Sequence, residues 1–249
     1  MRFLFVLLFV SIFSMMLPAF ADLNYDVIVD GLNNPWEIVF GTNGDIYFTE
    51  RDGRIWKMSE SGVAKVIQTF PKSGSVEGGT LGLALHPDFE ENNKIYVYQT
   101  NLELEFYQNK VFSFEVDDGT LSNKQLILDG IPGAPWHDGG RIKFGPDEKL
   151  YISTGDAINP GWSQDLSSLA GKILRINSDG TIPDDNPFDS SPVFSYGHRN
   201  PQGLAWSADG LFLSSEHGPS GELGYGHDEI NVILKGKNYG WPNVVGDSS

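Results

Sequence analysis

The chain has 249 residues, of which 40% are hydrophobic, 20% charged and none cysteine. That composition belongs to a folded globular protein large enough for an all-β domain, and it excludes a disordered scaffold and a disulfide-stapled one. Lys+Arg 17 against Asp+Glu 33 leave a formal net charge of −16. Such a field repels phosphate backbones and anionic membranes, so no nucleic-acid partner is expected; the acid surplus agrees with divalent-cation sites and equally with plain solubility.

Residues Met1 to Ala21 form an export signal: Arg2, an apolar run from Phe3 to Leu17, then an A-x-A end at Ala19-Phe20-Ala21 before Asp22. The run is shorter than the roughly 20 residues that span a bilayer and contains Ser11 and Ser14. The expectation is a cleaved signal at 1–21, a mature domain at 22–249 without a membrane span, and a secreted or periplasmic location. Without cysteine, such a protein draws stability from core packing and from bound ions.

Four copies of one phrase follow, each an apolar strand, a turn of Gly, Pro, Asp or Asn, and a second strand carrying an aromatic. They are Ile38–Phe40 to Ile46–Phe48, Leu83–Leu85 to Ile95–Tyr98, Ile142–Phe144 to Leu150–Ile152, and Leu204–Trp206 to Leu211–Leu213. Aligned on Phe40, Leu85, Phe144 and Trp206, the copies are spaced by 45, 59 and 62 residues. Between them lie Arg54–Met58, Lys110–Phe114 and Lys172–Ile176, which read as strands alternating polar with apolar residues. About four strands per period is the pattern of a β-propeller blade; a sandwich requires no such recurrence. No segment carries a sustained helical period, and no Pro-, Gly- or Ser-rich linker divides the chain. The expected long loops are Gly130–Arg141, Asp156–Leu169, Ser178–Pro192 and His217–Asp228, and loops on a rigid scaffold are where sites are placed.

The signatures of Rossmann, P-loop, zincin and α/β-hydrolase chemistry are missing. Three loops carry chemistry instead. In Trp136-His137-Asp138-Gly139-Gly140-Arg141, His137 reads as a general base steadied by a neighbouring carboxylate, or as a loop histidine bonded to backbone. In Tyr196-Gly197-His198-Arg199-Asn200-Pro201-Gln202-Gly203, Arg199 offers a fork of donors for carboxylates or quinone oxygens, or bridges two blades; Asn200 offers donor and acceptor, and His198 reads as a packed structural residue. In Glu216-His217-Gly218-Pro219, with Glu222, His227, Asp228 and Glu229 beyond, carboxylates and a Gly-Pro turn suit a hard cation such as calcium, or a solvated acidic surface.

In this order the loops resemble the glucose/sorbosone dehydrogenase family, soluble aldose dehydrogenases that use pyrroloquinoline quinone on a six-bladed propeller. The phrases that carry the resemblance are Glu77-Gly78-Gly79-Thr80 through His86-Pro87-Asp88-Phe89, His137-Asp138-Gly139-Gly140-Arg141, Phe144-Gly145-Pro146-Asp147, Gly171-Lys172-Ile173-Leu174-Arg175-Ile176, Gly197-His198-Arg199-Asn200-Pro201-Gln202-Gly203, Glu216-His217-Gly218-Pro219, Asp228-Glu229-Ile230-Asn231 and Asn238-Tyr239-Gly240-Trp241-Pro242. The resemblance implies an all-β fold with about four blades present, and His137 as the base that takes the proton of the sugar's anomeric hydroxyl. It makes Arg199 catalytic as well as a quinone contact beside Glu77, Asn200, His217 and Asp228, although Glu77 and His217 stand where some members carry glutamine. It also implies calcium held by the carbonyls of Gly218 and Pro219, with Glu229 serving a second calcium. The implied substrate is an aldose oxidised to its lactone, with an unidentified electron acceptor. The family continues through further blades that bring basic residues to the cofactor, so the resemblance implies an incomplete ring whose exposed sheet edges favour association into a homo-oligomer. The rival readings are a non-catalytic propeller binding module and a calcium-dependent propeller lactonase.

Overall fold

A computed structural model describes residues 25–219 and 226–246. The expected export signal at Met1–Ala21, Glu222 and residues 247–249 lie outside the described residues. All strands belong to the compact unit Gly31–Ser249.

The strands group in chain order into four antiparallel sheets. The first holds β1 (Pro35–Phe40), β2 (Ile46–Glu50), β3 (Arg54–Met58) and β4 (Ala64–Thr69). The second holds β5 (Thr80–Leu85), β6 (Lys94–Glu103), β7 (Phe106–Asp117) and β8 (Thr120–Pro132), and the third β9 (Ile142–Phe144), β10 (Leu150–Thr154), β11 (Lys172–Ile176) and β12 (Val193–Tyr196). The fourth has β13 (Pro201–Trp206), β14 (Phe212–Glu216) and β15 (Glu229–Val232). β1, β5, β9 and β13 all contribute to the wall of one 440 Å³ opening, which makes the first strand of each sheet the innermost around a common axis. This is a β-propeller with four blades. Among the described residues helix is confined to loops, as α1 (Phe89–Asn92) and one 3-10 turn (Pro160–Ser163). Among the described residues no helix is long and apolar enough to cross a membrane.

The repeated phrase is a turn. Gly41 N–H donates to the Asp45 carbonyl (2.7 Å), Gly145 N–H to Lys149 (2.9 Å) and Ser207 N–H to Leu211 (2.9 Å). Asn43 Oδ1 and Asp147 Oδ1 accept the backbone N–H two residues on, the Asx geometry that closes such a loop locally. Gly44 (φ +81°) and Gly210 (φ +88°) occupy left-handed positions that a side chain would strain. In the second blade His86 N–H reaches Lys94 across the inserted α1.

Each core cluster is a seam between blades. Tyr47, Ile55, Ile67 and Phe70 of the first blade pack on Leu83, Ile95, Val97, Phe112 and Phe114 of the second. The intervening residues of the same strand, Tyr96 and Tyr98, turn to the other face and meet Ile142, Leu150, Ile152, Leu174 and Ile176 of the third. Tyr151 and Ile173 in turn meet Leu204 and Phe212 of the fourth. A period of two thus feeds two seams at once, and each aliphatic side chain buried there contributes about 1.5–3 kcal/mol.

Three local expectations need correction. Gly130–Pro132 ends β8 and is not loop, and Leu211 precedes β14. Lys172–Ile176 does not alternate in exposure; all five residues are buried, because both faces of β11 lie in seams. Lys172 survives burial by donating to the carbonyls of Trp162 (2.7 Å), Ser163 (3.1 Å) and Ala170 (2.6 Å), and Arg175 by pairing with Asp147 and Asp185.

Candidate active site

The loops that precede β5, β9 and β13 converge on one side of the ring. A 210 Å³ cleft there is lined by Trp36, Arg51, Glu77, Asp138, Gly139, Asn200, Gln202 and His217. The larger axial opening is lined by none of the predicted site residues. Chemistry and volume therefore point to different places, and the polar cleft is the candidate site.

His137 adjoins this cleft with φ +63°, a left-handed conformation uncommon for a residue with a side chain. Neighbouring loops fix both ends of its backbone: its N–H donates to Glu77 Oε2 (2.9 Å), and its carbonyl accepts from Ala157 N–H (3.2 Å). Its ring Nδ1 lies 2.7 Å from Asp156 Oδ1. A carboxylate only accepts, so Nδ1 carries the proton and Nε2 is left as the basic lone pair. Among the described residues Nε2 has no hydrogen-bond partner. Non-glycine strain of this kind collects at functional sites and persists only where the surroundings over-determine it.

The carboxylate that steadies His137 is not the adjacent Asp138. That side chain turns inward, taking Asn109 Nδ2 (3.0 Å) and Ala134 N–H (3.1 Å) on Oδ1 and Ser75 Oγ (3.3 Å) on Oδ2. Burial pushes Asp138 up to about 6, partly countered by those hydrogen bonds. Asp156, 19 residues along the chain, takes the role. It is almost fully buried, and it also accepts Ile158 N–H on Oδ1 (2.9 Å) and Trp241 Nε1–H on Oδ2 (2.8 Å). Gly155 is required at its position because a Cβ would lie 1.9 Å from the His137 carbonyl oxygen.

Asn200 is 2% exposed. Its Oδ1 accepts from Gly139 N–H (3.0 Å) and Gln202 Nε2 (3.1 Å), while its amide nitrogen makes no hydrogen bond among the described residues. Arg199 donates its backbone N–H to Glu216 Oε1 and Nη1 to the His217 carbonyl (3.3 Å), and its guanidinium lies 5.5 Å from the Trp241 ring centroid. His198 is the packed structural residue expected: it is fully buried between Ser195 Oγ (2.8 Å) and Glu216 Oε2 (2.9 Å) and stacked on Tyr239.

Glu77, Asn200 and His217 thus share the cleft, and His137 and Arg199 are bonded to its rim. Asp228 lies on the adjoining exposed surface, 3.8 Å from His217 Nδ1, with Oδ1 accepting Gly218 N–H (2.9 Å). Glu229 accepts Gly246 N–H (3.1 Å) and Asn231 Nδ2 (3.0 Å). Glu216, Gly218, Pro219 and Glu229 help line a pocket of about 10 Å³, room for one water-sized occupant. Among the described residues no three His, Cys, Asp or Glu side chains form a metal-sized cluster; the oxygen donors along this pocket are the Glu216 and Glu229 carboxylates and the loop carbonyls, beside the Arg199 guanidinium. Such hard oxygen donors fit calcium. Arg51, Arg199 and the unpaired Asn200 amide are donors that fit an acidic quinone.

A propeller with a strained histidine, its buried carboxylate and an arginine–asparagine pair beside a polar cleft defines the class. The glucose/sorbosone dehydrogenase family profile matches residues 32–248, and the chain belongs to that family. It is 36% identical to quinoprotein glucose dehydrogenase B of Acinetobacter calcoaceticus, over 90% of this chain and 53% of that protein. It is 33% identical to aldose sugar dehydrogenase YliI of Escherichia coli, over 89% of this chain and 62% of that one. The chain therefore spans little more than half the length of these curated relatives. The structure of the PQQ-bound form of aldose sugar dehydrogenase from Streptomyces coelicolor superposes with a TM-score of 0.80 at 37% identity, covering 90% of this chain and 66% of that one.

Proposed function

We propose that this protein is an exported quinoprotein oxidoreductase that converts an aldose to its lactone, with pyrroloquinoline quinone and calcium at the cleft and its adjoining carbonyl loop. The observation that carries this reading is the bare Nε2 of a strained His137 whose Nδ1–H is fixed on buried Asp156. Pyrroloquinoline quinone, when bound, supplies the acceptor for the hydride that leaves the sugar's anomeric carbon. His137 Nε2 takes the proton of the hydroxyl on that carbon, and Asp156 stabilises the imidazolium that results. Arg199 and Asn200 Nδ2 would hold the quinone, with Glu77 and His217 on the cleft wall that Asn200 lines. Asp228 orders the loop through Gly218 N–H, and the carbonyls of Gly218 and Pro219, with Glu229, hold calcium.

The test adds quinone and calcium to the purified protein and follows sugar-dependent reduction of an artificial electron acceptor across a panel of aldoses. Turnover is expected, and His137→Ala should lower it by roughly 10² to 10⁴ with quinone binding retained. Quinone binding without turnover on any aldose would overturn the enzymatic reading in favour of a binding module. Full activity in His137→Ala would remove His137 from the chemistry.

A further inference from the structure

The base and the arginine meet on one side chain that neither motif contains. Trp241 is 9% exposed; its Nε1–H donates to Asp156 Oδ2 (2.8 Å) and its ring faces the Arg199 guanidinium at 5.5 Å. Its backbone is pinned on both sides: its N–H donates to the Gly197 carbonyl (2.9 Å), and its carbonyl accepts from Gln164 Nε2 (2.6 Å). Gln164 also exchanges two hydrogen bonds with Asn238, so the segment Asn238–Trp241 is clasped to the loop that carries Asp156.

We propose that Trp241 is a positioning residue: its indole N–H fixes the Asp156 carboxylate so that His137 is held as the Nδ1–H tautomer, and its ring face sets the Arg199 guanidinium beside the same site. This rests on the proposed role of His137 as base. Asp156 Oδ1 is already shared between the His137 ring and Ile158 N–H, whereas Oδ2 depends, among the described residues, on the indole alone. Removing that N–H leaves a buried oxygen unpaired, and the carboxylate regains a partner only by rotating away from the imidazole. The tautomer is then no longer dictated, and Nε2 is protonated in part of the population. The other charged groups near His137 offer no substitute. Glu77 is committed to the His137 backbone N–H, Asp138 points to Asn109 and Ala134, Arg199 lies over the indole, and Arg51 and His217 line the cleft without a hydrogen bond to Asp156 among the described residues.

The experiment uses the whole protein labelled with ¹⁵N-histidine and ¹⁵N-tryptophan, without cofactor or sugar. Long-range ¹H–¹⁵N spectra should show His137 as one tautomer in the wild type and as a mixture in Trp241→Phe, which keeps a ring for packing. In the loaded enzyme the same variant should lose roughly 10- to 100-fold in kcat, with KM for the sugar little changed. Should the variant fail to fold, the wild type alone decides: as His137 is titrated, the Trp241 indole resonance must shift with the same midpoint. An unmoved indole signal, or an unchanged His137 tautomer in a folded Trp241→Phe, overturns the proposal. These spectra are independent of turnover, so failure of the base role in His137→Ala kinetics is distinguishable from failure of the indole link.

Discussion

Asp138 is where the site's cost to the fold is measurable. It is 2% exposed, and burial pushes its carboxyl from 3.8 up to about 6 despite the hydrogen bonds from Asn109, Ala134 and Ser75. Because the folded state holds this proton more tightly than the unfolded chain, protonated Asp138 stabilises the fold at low pH, and that contribution is lost as pH rises from about 4 to 6. A displacement of about 2 pH units corresponds to about 3 kcal/mol withdrawn from the fold at neutral pH. Asp138→Asn removes the charge and keeps the geometry. Its Oδ1 still accepts from Asn109 and Ala134, and its new amide can donate to Ser75 Oγ, which itself donates to the Ala134 and Pro135 carbonyls. Thermal unfolding of both proteins across the pH range should show equal stability near pH 4. Above pH 6 the variant should melt higher, by about 6–12 °C at full effect, taking about 2–4 °C per kcal/mol for a chain of this size. A stability difference that does not change with pH, or a variant less stable at pH 7, would refute the reasoning.

Two further substitutions probe the supports of the site. Gly155→Ala places a Cβ 1.9 Å from the His137 carbonyl oxygen, where only backbone could move; it should cost about 1–3 kcal/mol in thermal unfolding and displace the His137 ring signals, and an unchanged melt would show that the loop yields freely. Lys172→Met removes the ammonium from three carbonyls, of which those of Trp162 and Ser163 keep backbone donors in Asp165 and Gly197 while the buried Ala170 carbonyl does not, and should destabilise by about 1–3 kcal/mol in urea unfolding; a loss within about 0.5 kcal/mol, the range of an ordinary surface change, would mean that the Trp162–Ala170 loop does not depend on that ammonium.

The blades were legible in the sequence because the repeat encodes both turn and seam: the same few residues that close Gly41–Asp45 and Gly145–Lys149 begin strands whose alternation serves two neighbouring blades. His137, Arg199, Asn200 and His217 were legible as polar groups grouped in glycine-bearing loops. The roles of Asp156, Glu216 and Trp241 were not, although Glu216 and Trp241 stand in phrases the sequence singles out, because those roles arise only from long-range pairing; the indole and Asp156 are 85 residues apart. Proximity in sequence misdirected the reading at Asp138, since the positive φ of His137 sends adjacent side chains to different partners. Lys172 looked like the polar half of an alternating strand, and nothing local announces that its ammonium is spent on the loop that follows β10.

The site's bonds also explain how a strained histidine is kept in place. A left-handed residue costs on the order of 1–3 kcal/mol, and one flexible loop could relax it away. Here the loop before β5 takes the His137 N–H through Glu77, and the loop after β10 takes its carbonyl through Ala157 and its ring through Asp156. The loop before β13 grips both: Asn200 Oδ1 receives Gly139 N–H, and the Arg199 carbonyl receives Asp156 N–H (2.7 Å). Glu216, at the end of β14, then anchors His198 and Arg199. Every one of these loops is rooted in a blade fixed to its neighbour by an apolar seam, so relaxing His137 would require blades to shift against one another. The geometry of the base is therefore set by packing between blades rather than by its own loop, and a substitution deep in a seam, far from the cleft, should disturb it.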